Sequence, residues 1–279
     1  MIELLQQQLD NYKARGPVEE GQALREILQE VALYALWRAG FFEVAAFQGG
    51  TSLRILHGLP RFSEDLDFIL KVPDPDFGWK TFLEKLLLGL QQFGLHSEAV
   101  DKSRMDQTVK RAFLKDNSVS NQLDLTFDRD HRKRKLRIKL EIDVNPPKGS
   151  DFDYSYLDFP LDFEICHQNL SSNFALKIHA LLCRPYLKGR DWYDFNWYVK
   201  QHIHPNYAHL QAALDQHGPW AGQSLTVDQH WLINELLNKV TTIDWKEATE
   251  DVTRFLNSAE QRSLTLWSDK FFKNKVEKI

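Results

Sequence analysis

Cysteine is nearly missing from this 279-residue chain, which has only Cys166 and Cys183. The two share no metal-like spacing and have no neighbouring cluster. Neither a disulfide framework nor a cysteine metal site is expected, and a reducing compartment is. Long apolar runs are missing as well. No stretch approaches the ~20 residues that a membrane helix needs. The opening residues, MIELLQQQLDNYKARG, lack the basic-then-apolar order of a signal peptide. The expected setting is therefore the cytoplasm, with no membrane partner. Nor does one charge sign dominate: 35 Lys and Arg stand against 39 Asp and Glu, a formal net charge of -4, with a pI near 6.2. Such a chain has no global attraction for nucleic acid, so any contact with RNA or DNA must come from a local patch. The candidate is Arg129 to Arg137, RDHRKRKLR, whose plainer reading is a solvated loop. The ten histidines are scattered without ligand spacing, and there is no internal repeat or low-complexity tract.

What is present is an ordinary globular composition, 43% hydrophobic and 12% aromatic, enough for a sizeable core. Residues 2–40 follow helical spacing, broken at Gly16-Pro17. Glu43 to Gln48 predicts a buried strand that ends at Gly49-Gly50. Thr51 to His57 predicts a helix starting at those glycines, and Gly58-Leu59-Pro60 a loop. Asp65 to Val72 predicts a second strand, and Gly78 to Phe93 an amphipathic helix. Period-two alternation predicts strands around Val109 to Leu114, Leu123 to Phe127 and Leu136 to Val144. The Asp-, Tyr- and Gly-rich section from Lys148 to Pro160 reads as a loop. After Ser171 everything reads as helix, with breaks at Pro205, near Gly218-Pro219 and at Thr241-Thr242. The expectation is an α+β protein: a small mixed sheet with helices over 1–169, then an all-helical lobe over 170–279.

The chemistry concentrates between Gly49 and Asp67. Asp65 and Asp67 lie two apart in a strand, so their side chains leave on one face. Two such carboxylates repel each other unless something positive lies between them. An oxygen-preferring divalent cation fills that role, and Mg²⁺ is the usual one where phosphates complete the shell. Upstream, Gly49-Gly50-Thr51-Ser52 joins a strand to a helix. Glycines let the backbone approach a bulky anion, the helix start points N–H groups at it, and Thr51 and Ser52 add hydroxyls or cap the helix. Alone, a Gly-Gly-Thr is a turn and an Asp-x-Asp a strand end. In the order strand, glycine turn, helix, loop, acidic strand they complement each other. The strand KLEIDVN offers a third carboxylate. Asp143, near its end, is preferred over Glu141 and the more remote Asp124 as a partner for Asp65 and Asp67 in a metal site. Its plain reading is a solvent-facing strand of mixed charge.

A second constellation lies in SSNFALKIHALLCRPYLKGRDWYDFNWYV, residues 171–199. Ser171 or Ser172 is expected to cap a helix on which Lys177 and Arg184, seven apart, share a face. Asp191 and Asp194 open the next helix, where acidic residues suit the helix dipole. Functionally, Lys177 would meet a triphosphate, and one of the two aspartates would orient Lys177 or Arg190, or accept a proton.

The stretches QGGTSLRILHGLPRFSEDLDF and ALKIHALLCRPYLKGRDWYDF resemble the AbiEii/AbiGii nucleotidyltransferase toxins, with the resemblance running from about Phe47 to Val199. It implies a catalytic core similar to that of polymerase beta, followed by a helical C-terminal part. It also implies a nucleoside triphosphate substrate with Mg²⁺ (Mn²⁺ as a substitute), and an RNA acceptor such as the 3′ end of tRNA. A cognate antitoxin, often a DNA-binding repressor, would be encoded alongside. By position, Gly50, Thr51 and Ser52 would hold phosphate, with Gly49 from the turn itself, and Asp65 and Asp67 the metal. Lys177 would be the family's lysine, and Asp191 or Asp194 its late aspartate. Asp143 falls where a third carboxylate belongs, and Arg54, Arg61 and Arg190 would be supporting contacts. Two other readings compete: transfer to a protein or small-molecule hydroxyl, and a non-catalytic NTP-binding or antitoxin-like module. An RNA acceptor predicts a basic surface such as Lys133 to Lys139, and a drug acceptor an acidic, aromatic pocket.

Overall fold

The computed structural model describes residues 1–104, 107–127 and 136–279. Of the basic run, residues 129–135 lie outside the described residues, and so does the start of the Lys133 to Lys139 surface. Arg137 is described, and its guanidinium lies 3.9 Å over the Phe113 ring. Among the described residues the chain divides into two compact units. One comprises 1–52, 64–146 and 154–167, the other 53–63, 147–153 and 168–279. Among the described residues, the α+β expectation is met by thirteen α-helices and seven strands. No helix among the described residues is long and apolar enough to cross a membrane. Both cysteines are free thiols.

The first unit begins with α1 (Ile2–Tyr12) and α2 (Pro17–Arg38). Proline opens α2 where its missing N–H costs nothing. From Ala23 to Leu36, α2 is buried on nearly every side, as a helix apolar around its circumference must be. The short α3 (Phe41–Val44) leads into β1 (Ala45–Gln48), α4 (Gly49–His57) and β2 (Leu66–Leu70). Then come α5 (Lys80–Gln92), β3 (Ser97–Asp101), β4 (Val109–Asp116), α6 (Val119–Gln122), β5 (Leu136–Asp143), β6 (Phe152–Leu157) and β7 (Phe163–Gln168). The strands form one mixed sheet in the order β3-β4-β5-β2-β1-β7-β6. At its centre β2 runs antiparallel to β1 and parallel to β5. An aromatic cluster packs there. Phe41 stacks on Trp79 at 5.5 Å between centroids, and Phe68 meets Phe41 edge-on at 4.8 Å. Burying each such Phe contributes about 1.5–3 kcal/mol.

Three local expectations are corrected. Phe41 to Val44 is helical, so the strand expected from Glu43 starts at Ala45. Leu123 to Phe127 is not a strand: Asp124 N donates to Gln6 Oε1, and Thr126 N and Phe127 N donate to the buried Glu20 carboxylate. These side-chain partners take the place of a ladder. The section from Lys148 to Pro160 is not all loop, because it contains β6 at the sheet edge.

The second unit holds α7 (Leu170–Cys183), α8 (Gly189–Lys200), α9 (Tyr207–Gln216), α10 (Gln229–Val240), α11 (Trp245–Thr253), α12 (Ser258–Ser263) and α13 (Asp269–Val276). The capping residue of α7 is Asn169, whose Oδ1 accepts from Ser172 N at 2.8 Å, and not Ser171 or Ser172. Asn206, Asp228, Asp244, Asn257 and Ser268 cap later helices in the same way, each worth about 1 kcal/mol. The core stacks Phe174 on Tyr198 at 4.3 Å and Trp245 on Phe272 at 4.2 Å. Where α8 meets α11 only glycine fits: a Cβ on Gly189 would lie 1.9 Å from the Ala248 carbonyl oxygen.

Candidate active site

The antiparallel register of β1 and β2 sets Gln48 opposite Asp67. The next residue, Gly49, turns the chain with φ of 77° and starts α4. A Cβ there would lie 2.7 Å from Asp67 Oδ2 and 3.1 Å from Asp67 Cβ. The glycine turn and the acidic strand therefore abut, and only a residue without a side chain allows it. The first turn of any helix leaves N–H groups without intrahelical partners, which suits an anion. Thr51 Oγ1 donates to the Asp65 carbonyl, and Ser52 Oγ to the Gly49 carbonyl at 2.9 Å. Both hydroxyls are buried; Thr51 fixes the turn to the segment that enters β2, and Ser52 closes the turn on itself. Gly49→Ala combines left-handed strain with displacement of Asp67. A shift of about 1 Å in a reacting group can cost about 10²-fold in turnover. Turnover of that variant is expected to fall by that factor, with a smaller loss in melting temperature. Wild-type turnover would disprove the contact's importance.

β2 and β5 run parallel with Asp67 beside Glu141 and Ile69 beside Asp143. Register neighbours share a face, so Asp67, Glu141 and Asp143 leave the sheet on one side together with Lys139. Asp65 sits one residue before β2. Lys139 Nζ lies 2.7 Å from Glu141 Oε2 and 3.2 Å from Asp65 Oδ2. Arg111, opposite Glu141 on β4, holds its Oε1 at 2.6 Å. Burial opposes charge on Lys139, but the hydrogen bond to Glu141 and the Asp65 charge prevail and raise its pKa. Burial likewise opposes charge on Glu141, and Lys139 and Arg111 outweigh it and lower its pKa. Glu141, the rival third ligand, thus has both oxygens engaged. Asp143 Oδ1 accepts from Asn145 N at 3.0 Å. Asp124 lies past α6, outside β2 and β5. The Lys139 and Arg111 pairs escaped the sequence reading. Their signal was the i, i+2 spacing of Lys139 and Glu141 on one strand face.

Among the described residues, no three or more His, Cys, Asp or Glu side chains converge to hold a metal ion. The donors of this face are hard carboxylate oxygens, which suit a cation that takes one or two protein carboxylates and completes its shell with substrate phosphates. The residues fit that mode and not an all-protein cage.

In the second unit, Lys177 on α7 and Arg184, the extended residue just past its end and not on the helix as expected, face Asp191 and Asp194 on α8. Lys177 Nζ lies 3.1 Å from Asp191 Oδ1 and 2.9 Å from Asp194 Oδ2. Arg184 pairs with Asp191. Arg61 grips Asp194 with two parallel bonds, Nε to Oδ1 at 2.5 Å and Nη2 to Oδ2 at 2.7 Å. Arg61 is 3% exposed and Asp194 fully buried. Burial opposes the Asp194 charge, yet Arg61 and Lys177 lower its pKa. For Lys177 burial dominates, and with Arg61 nearby it lowers the pKa despite Asp194. Both aspartates bind Lys177. Arg190 turns elsewhere, its guanidinium 4.2 Å over the Phe255 ring. Arg54 braces the loop through the Leu59 and Pro60 carbonyls.

The profile described as nucleotidyl transferase AbiEii toxin, type IV TA system, matches residues 31–271. The chain belongs to this family. It is accordingly a nucleotidyltransferase of a toxin–antitoxin system, as the resemblance implied. Two solved structures are similar over most of their length. One, described as a candidate nucleotidyltransferase from Helicobacter pylori, has 17% identity and a TM-score of 0.46, covering 90% of this chain and 97% of the other. The second is JHP933 from Helicobacter pylori, with 18% identity and a TM-score of 0.43, covering 90% and 94%. The assignment rests on the family match and not on these. No curated protein matches the chain.

Proposed function

We propose that this AbiEii protein transfers a nucleoside monophosphate from a nucleoside triphosphate to an RNA hydroxyl, with the 3′ end of tRNA as the leading acceptor. The observation that carries the reading is the contact of Gly49 with Asp67, which sets a phosphate turn against an acidic strand. Asp65 and Asp67 hold Mg²⁺, with Mn²⁺ as a substitute, and Asp143 is the third carboxylate. Bound there, the cation neutralises triphosphate oxygens as charge develops on them. The backbone at Gly49 and Gly50 and the start of α4 take the phosphates, while Thr51 and Ser52 hold the turn rigid. The acceptor oxygen bonds to the α-phosphorus as the bond to the pyrophosphate oxygen breaks in line, and the hydroxyl proton passes to solvent. Lys177, held by Asp191 and Asp194, is the second unit's candidate functional lysine. The toxin–antitoxin assignment makes a cognate antitoxin the expected protein partner.

The acceptor is tested by incubating the protein and α-labelled nucleotides separately with tRNA, with periodate-oxidised tRNA, with a protein extract and with an aminoglycoside. Label on intact tRNA alone is expected. Equal labelling of oxidised tRNA excludes the 3′ hydroxyl. Label on protein or drug alone replaces the RNA reading with the corresponding acceptor.

A further inference from the structure

Lys139 is an ammonium placed where the carboxylate face would otherwise need a foreign cation. It stands 3.2 Å from Asp65 Oδ2 and 2.7 Å from Glu141 Oε2. The backbone of β5 is fixed by register on both sides, with Leu140 beside Leu66 of β2 and Lys139 opposite Phe113 of β4. Any movement must therefore come from the four-carbon side chain, which is flexible and 31% exposed. Glu141 is anchored on its other oxygen by Arg111 at 2.6 Å. It offers Lys139 a second seat, closer than the first. An ammonium and a divalent cation repel each other and so compete for Asp65 Oδ2.

We propose that Lys139 is a resident counter-cation that holds Asp65 in the metal-free protein, yields it to the entering divalent cation, and stays parked on Glu141. The inference rests on the assignment of Asp65 and Asp67 as metal ligands. Lys139 is then a positioning residue. It keeps the acidic face ordered without metal and weakens metal binding, so that occupancy depends more on the arriving nucleotide with its own phosphate ligands.

The test titrates Mn²⁺ into the full chain without nucleotide, by electron paramagnetic resonance or calorimetry. The proteins compared are wild type, Lys139→Met, Lys139→Gln, Arg111→Met and Asp67→Asn. Removing the competing ammonium should tighten Mn²⁺ binding about fivefold in both Lys139 variants, the scale of a partly exposed ion pair. Arg111→Met removes the same charge from a residue that touches Glu141 and not Asp65, and should change affinity less than about twofold. Unchanged or weaker binding in the Lys139 variants overturns the inference. So does an Arg111→Met effect as large as theirs, since general charge would then explain both. Asp67→Asn separates the two readings. If it binds Mn²⁺ as wild type does, the metal assignment itself fails, and if no protein binds, the Lys139 variants included, the Lys139 inference fails. If it loses binding while the Lys139 variants match wild type, only the Lys139 inference fails.

Discussion

Asp67→Ala is expected to lower nucleotidyl transfer by about 10³-fold, the scale of losing one group that stabilises developing charge. The folded protein should remain. Asp67 is partly exposed at the start of β2, and its neighbours Leu66 and Phe68 keep the strand in the core. The Gly49 turn packs against this carboxylate, so the variant also leaves space beside the phosphate turn. Activity within tenfold of wild type, in a protein with unchanged melting temperature, would remove Asp67 from the chemistry. Asp143→Ala should cost less if Asp65 and Asp67 carry most of the metal's protein contacts.

The second large effect concerns stability. Asp194 is fully buried and takes two bonds from the equally buried Arg61 and one contact from Lys177. Asp194→Ala leaves two cations without their main partner in a dry environment. Breaking a buried pair from one side costs about 3–5 kcal/mol, because the remaining charge is uncompensated. Urea denaturation should show that loss. Arg61→Met combined with Asp194→Leu should be less destabilised than Asp194→Ala, since no unpaired charge from that pair stays behind. A single-variant loss under about 1 kcal/mol would mean the cluster is solvated and would contradict its burial. The pH dependence has a fixed sign. Asp194 has a folded pKa below its ordinary value, so its contribution is complete above the usual aspartate range and is lost as pH falls through the folded pKa.

The contrast between these two sites shows what the sequence carried. The Gly49 to Asp67 motif was legible because its pieces are local: a strand, a glycine turn, a helix and an acidic strand within twenty residues, joined by one hairpin-like register. Lys177 was legible on its helix, but Arg184, expected on the same helix face, lies just past the end of α7 in an extended conformation. The pairing of Arg61 with Asp194 was not, because 133 residues separate them and only the fold brings them together. Lys139 was visible as a strand residue, but its hold on Asp65 depends on β2 and β5 running parallel in one particular register. Of the strands that escaped, β7 is almost fully buried, whereas β3 and β6 have no burial signature. β3 has no buried residue. β6 is an edge strand whose Tyr154 and Tyr156 are 59% and 75% exposed, so alternation of apolar and polar positions had nothing to mark. Leu123 to Phe127 shows the converse, an apolar alternation whose backbone is claimed by Gln6 and Glu20 instead of a neighbouring strand.

The most direct test of the central claim follows the position of the label. The protein, Mg²⁺ and tRNA are incubated with a nucleoside triphosphate labelled at the α-phosphorus or, separately, at the γ-phosphorus. Nucleotidyl transfer predicts RNA labelled from the α position alone, pyrophosphate released in equal amount, and no product from Asp67→Ala. RNA labelled from the γ position, or the same yield from wild type and Asp67→Ala, would contradict it.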